Sequence, residues 1–134
     1  MIRGWFCLML LCFACEPEES CLETDPDCSV LYEPSFDQVF EQTLASSCGV
    51  GGGSCHGAEG GQAELFFAEA DEAWDLLTED RGSGPLVIPG EAGCSPLIQI
   101  LRSDDETVAM PPGSPLSDAE VCAIEQWIDA GAER

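Results

Sequence analysis

The chain has 134 residues and a formal net charge of −22, from 26 acidic residues against four arginines, with no lysine. Such a surface repels phosphate backbones and excludes nucleic-acid binding; the acids either keep the protein soluble or form a docking face for a basic partner. The length gives one small domain plus a leader, with 45% apolar residues, and nine cysteines point to cross-links or a cofactor that would support a marginal core.

Residues 1–14 read as a signal peptide. Arg3 precedes an apolar run from Gly4 to Ala14, too short to span a bilayer. Ala14-Cys15-Glu16 looks like a bacterial lipobox, which makes Cys15 the expected lipidation site; ordinary cleavage near Ala14 is the alternative. Either way the chain is expected to be exported to an oxidising compartment, the periplasm or the outer membrane, and on the lipobox reading a lipid anchor holds it at the membrane. Residues 15–34 then read as an acidic, flexible linker rich in Glu, Asp, Pro and Ser. Cys21 and Cys28 lie within it, and a small disulfide-closed loop between them is the simplest expectation.

The domain is expected over residues 35–134. Ser35 and Gln38 form the pattern of a capping box, and Phe36, Val39, Phe40 and Leu44 fall on one helical face leading to Cys48. Cys48 to His56 reads C-x6-C-H and holds the only histidine of the chain. A thiol pair ending in Cys-His reads as covalent attachment of a c-type haem, whose usual spacing is C-x-x-C-H; a Cys48–Cys55 disulfide is the alternative. The glycines between the thiols are neither a phosphate loop nor a dinucleotide fingerprint, because the required Lys, terminal Gly and preceding strand are missing. A Cys55/His56 protease pair is excluded because adjacent residues rarely turn toward each other. A blue-copper site would need a second histidine, and a structural zinc site a fourth good ligand.

A second helix is expected over Glu69 to Leu77, burying Ala73, Trp74 and Leu77 or Leu76. Leu86-Val87-Ile88 is a short apolar run stopped by Pro89-Gly90. Ser95 to Leu101 suits a third helix with Pro96 in its first turn and Leu97, Ile100 and Leu101 inward. An acidic loop, Ser103 to Thr107, leads to Met110-Pro111-Pro112-Gly113. The last helix opens with a Ser117/Glu120 capping box, carries Val121, Ile124, Trp127 and Ile128 on its apolar face, and ends at Gly131. Cys94 and Cys122 are expected to form a disulfide pinning the third helix to the last. The fold class is all-α: about four short helices with long loops.

From about Phe40 to Ala132 the chain resembles the small c-type cytochrome domains of exported bacterial proteins, of the planctomycete and myxobacterial type. Cys55-His56-Gly57 looks like that family's haem-binding end. Val87-Ile88-Pro89-Gly90 with Ser95-Pro96-Leu97 looks like its middle motif, and Met110-Pro111-Pro112-Gly113 with Pro115-Leu116-Ser117 like its ligand loop. Ile124 to Ala132 looks like its C-terminal helix. The resemblance implies a cytochrome c-like bundle around haem c, with Cys48 and Cys55 as thioether donors, His56 as proximal ligand and Met110 as sixth ligand. Read without it, Met110 is a core filler. A His/Met pair fills both axial positions, so the implied function is electron transfer with a basic redox partner, and not enzymatic catalysis. The other reading is a haem-free, disulfide-stapled domain with a structural or interaction role.

Overall fold

The computed structural model of the protein describes residues 21–49, 55–58 and 61–134. The expected signal peptide, Cys15 and the glycine-rich residues 50–54 lie outside these. The described residues form an all-α fold with four α-helices and no strand.

Helix α1, Phe36–Val39, continues directly as a π-helix over Phe40–Gly49, which carries the chain to Cys48. Phe36, Val39 and Leu44 are buried as the periodicity predicts, and Thr43 joins them. The Thr43 hydroxyl is satisfied by the Tyr32 phenol, 2.6 Å away. The Ser35/Gln38 capping box does not form: Ser35 sits at the N-cap without a side-chain bond, and its N–H is already donated to the Glu33 carbonyl. A glutamine three residues on therefore has no free donor to return to.

Helix α2, Ala70–Thr78, buries Ala73 and Leu77. Trp74 stays half-buried because its indole Nε1 donates to the Ala132 carbonyl at 3.0 Å, which ties α2 to the end of the chain. The apolar run after α2 is folded back by two bonds, Val87 N–H to the Leu77 carbonyl and Leu97 N–H to the Leu86 carbonyl, both 2.9 Å. Helix α3, Pro96–Leu101, starts with proline where a missing N–H costs nothing. Leu97 and Ile98 are buried, whereas Ile100 and Leu101 are only half-buried because they face a cavity.

Helix α4, Asp118–Asp129, is the central element. Its Ser117/Glu120 capping box is complete, with Glu120 N–H donating to Ser117 Oγ and Ser117 N–H donating to the Glu120 carboxylate. Val121, Ile124, Trp127 and Ile128 are buried, and Trp127 packs on Phe36 with ring centroids 5.3 Å apart. Each such side chain removed from water stabilises the fold by about 1.5–3 kcal/mol. The expected stop at Gly131 is present, with φ 113° that only glycine takes readily.

The expected linker is where the architecture departs most from the sequence reading. From Cys21 onward it is a strap bound to the helices. Cys21 pairs with Cys94 and Cys28 with Cys122, so the local Cys21–Cys28 loop and the Cys94–Cys122 bridge are both corrected. The physical reason is the backbone pairing that brings the strap to α3 and α4. Leu22 N–H donates to the Gly93 carbonyl and Leu31 N–H to the Ala119 carbonyl, both at 3.0 Å. Gln126 Nε2 donates to the Pro26 and Cys28 carbonyls at 3.2 Å. Gly93 lies so close beneath the strap that a Cβ there would overlap the Leu22 carbonyl oxygen. Among the described residues no helix is long and apolar enough to cross a membrane.

Candidate functional site

The site is assembled from three separated pieces of chain. The first is the C-terminal end of the π-helix with Cys48. The second is the short segment holding Cys55 and His56, followed by Leu65 and Phe67. The third is the loop after α3 that ends at Met110. All of them line one cavity of about 300 Å³ between α3, α4 and the π-helix, a volume at the lower end of ligand pockets. Leu44, Leu77, Leu86, Leu97 and Ile124 make most of its wall, which is therefore strongly apolar.

Backbone hydrogen bonds explain how a C-x6-C-H sequence can present both thiols with the imidazole. In a C-x-x-C-H turn the histidine stands four residues after the first cysteine, and in helical geometry its N–H would meet that cysteine's carbonyl. Here the His56 N–H donates to the Cys48 carbonyl at 3.1 Å, although four more residues intervene. The insertion is thus closed at its base. Gly49 and Gly57 permit this approach, since a Cβ on Gly57 would overlap the Gly49 carbonyl oxygen. Two further bonds fix the segment: Phe67 N–H to the His56 carbonyl at 2.7 Å and Gln62 N–H to the Cys55 carbonyl at 3.0 Å.

The His56 ring packs against Phe67, with centroids 5.2 Å apart, and its Nδ1 is buried with no hydrogen-bond partner among the described residues. A buried polar atom in that state costs about 1–3 kcal/mol unless another group satisfies it. Cys48 is a free thiol outside both disulfides. Burial, and then the proximity of Cys55 and Glu120, pushes its pKa up to about 11, so it is protonated at neutral pH. Cys55 is exposed at the edge of the cavity.

Met110 is positioned by its own N–H, which donates to the Ile100 carbonyl at 3.2 Å, and by the cis Met110–Pro111 peptide. It lines the cavity and stays 36% exposed, so it forms part of the rim. Cys48, Cys55, His56 and Met110 therefore all line one cavity, while Cys21, Cys28, Cys94 and Cys122 build the strap elsewhere. Cys15, the expected lipidation site, lies outside the described residues. Leu65 and Phe67 were not anticipated as site residues. Their signal in the sequence is the apolar run Leu65-Phe66-Phe67, isolated between glycine-rich and acidic stretches.

The lining suits a haem by its chemistry. It offers one imidazole, one thioether and two thiols against an apolar wall. Among the described residues no three His, Cys, Asp or Glu side chains are grouped to hold a chelated metal ion.

Residues 53–114 match the family model described as Planctomycete cytochrome C. The matched segment contains Cys55, His56 and Met110 and begins after Cys48. No curated protein and no solved structure matches the chain. The all-α architecture and the family match over residues 53–114 both support a small cytochrome c-like domain.

Proposed function

We propose that the protein is an exported, lipid-anchored electron carrier that binds one c-type haem in the cavity described above. His56 and Met110 would hold the haem iron, and Cys48 and Cys55 would bind the porphyrin through thioether bonds. The observation that carries this reading is the convergence of these four side chains on one apolar cavity, with His56 Nδ1 buried beside it and unpartnered among the described residues. The haem would supply a one-electron couple whose potential is raised by a His/Met pair. The chain's own residues do the remainder. Phe67 and the Phe67–His56 backbone bond hold the imidazole in place. The leucines of the wall exclude water, which disfavours the more charged oxidised state. With His56 and Met110 both holding the iron, no position on it would be left for a substrate, and the role would be that of a carrier and not an enzyme.

Export and anchoring rest on the sequence Met1 to Glu16. Expressed with its leader in a bacterium that attaches haem c, the protein is expected in the membrane fraction with a low-spin visible spectrum, and Cys15→Ala should release it without changing that spectrum. Met110→Ala should convert the spectrum to high-spin, and His56→Ala should abolish it. An unchanged low-spin spectrum in both ligand variants would overturn the assignment.

The second reading is a haem-free, disulfide-stapled domain with a structural or interaction role. Two disulfides already hold the strap to the helices, which is the observation in its favour. It requires a colourless protein whose stability is unaffected by His56→Ala.

A further inference from the structure

This inference rests on the electron-carrier reading and concerns where a partner would meet the cavity. Among the described residues that line the cavity, Met110 is the one large apolar side chain left exposed, at 36%, and Pro112 beside it on the rim is exposed as well; Val108, outside the cavity but on the same turn, is 47% exposed. The same turn carries Asp104, Asp105 and Glu106, all exposed. The turn is built, not slack: Val108 N–H and Ala109 N–H donate to the Asp105 carbonyl at 3.0 and 2.9 Å, and the Thr107 N–H and hydroxyl donate to Asp105 Oδ1 at 2.9 and 2.7 Å. Those bonds to its carboxylate hold Asp105 below the usual carboxylate range, so it stays charged.

Charge decides which occupant fits. Every arginine among the described residues is in an ion pair: Arg81 with Glu64, Arg102 with Asp118 and Glu125, and Arg134 with Asp37 and Asp71. Among the described residues no arginine is left without an ion-pair partner to welcome an acidic surface. A second copy carries the same net charge of −22 and is repelled, as is an anionic bilayer. An apolar contact flanked by three carboxylates is complementary to an apolar contact flanked by lysines or arginines.

We propose that the turn from Asp104 to Pro112 is a docking face for a small cationic redox protein, with Val108, Met110 and Pro112 at the contact and Asp104, Asp105 and Glu106 steering the approach. The steering charges act on encounter rate and salt dependence, while the apolar centre sets the residence time.

The test measures binding of the mature protein to a strongly cationic, soluble c-type cytochrome by calorimetry, at low and high salt. Two variants each remove three negative charges: Asp104→Asn/Asp105→Asn/Glu106→Gln on the turn, and Glu69→Gln/Glu72→Gln/Asp75→Asn at the N-cap of α2 and along it. Asparagine at position 105 keeps the acceptor that Thr107 uses, so the turn persists. The turn variant should bind about tenfold more weakly at low salt and the α2 variant less than twofold, as expected for a few rim pairs at one face. Val108→Ser should weaken binding at high salt also. Equal losses in the two charge variants would mean attraction by net charge alone and would overturn the proposal, as would no loss in either. Calorimetry needs no haem in this protein. A colourless protein that still docks through the turn would sink the carrier reading and keep the face, whereas a haem-bearing protein indifferent to the turn would do the reverse.

Discussion

Arg102, just beyond the last turn of α3, shows how a single residue fixes the wall of the cavity. Its guanidinium donates to both oxygens of Glu125, at 3.0 and 3.1 Å, and to Asp118 at 2.8 Å. Glu125 stands on α4 beside Ile124, which lines the cavity, and its side chain is only 5% exposed. The two partners are unequal. Removing Arg102 leaves a buried carboxylate without a cation, whereas removing the Glu125 charge leaves Arg102 with Asp118 and partial access to water. Arg102→Ala should therefore cost about 3 kcal/mol in chemical denaturation and Glu125→Gln about 1 kcal/mol. The reverse order would contradict this account. Sequence alone shows none of it, since a glutamate in an acidic helix reads as a solvated one. His56 and Met110 were legible for the opposite reason: each is the sole residue of its type beyond the leader.

At the scale of elements, the helices with strong patterns formed where the sequence put them. Helix α4 has both a complete capping box and an unbroken apolar face, and both signals are local. The strap could not be read in this way. Its composition is that of a tether, and what orders it is nonlocal: two disulfides closing sequence separations of 73 and 94, and carbonyls of Gly93 and Ala119 placed by other elements. Four cysteines permit three pairings, and spacing cannot choose among them. Peptide mapping without reduction should recover Cys21 linked to Cys94 and Cys28 linked to Cys122. A Cys28→Ser/Cys122→Ser chain should lose about 4 kcal/mol on the loop-entropy account. Recovery of a Cys21–Cys28 peptide would contradict the strap. The widening of the first helix into a π-helix over Phe40–Gly49 likewise has no sequence signal that we can name.

For the molecule as a whole, the strap and the cavity divide the cysteines between two tasks. Four of them close the fold, so that a short chain with a small apolar core does not depend on a cofactor for all its order. Cys48 and Cys55 remain at the cavity with His56, and the bond from His56 N–H to the Cys48 carbonyl closes a glycine-rich insertion that sequence spacing alone would count against haem attachment. On the proposed reading, that closure would let the expanded motif hold a haem. The most direct measurement is the reduced-minus-oxidised absorption of the purified mature protein after denaturation, from a host that attaches haem c. The account predicts haem that stays with the unfolded chain and is lost when Cys48 and Cys55 are both changed to alanine. A denatured chain without haem would contradict it.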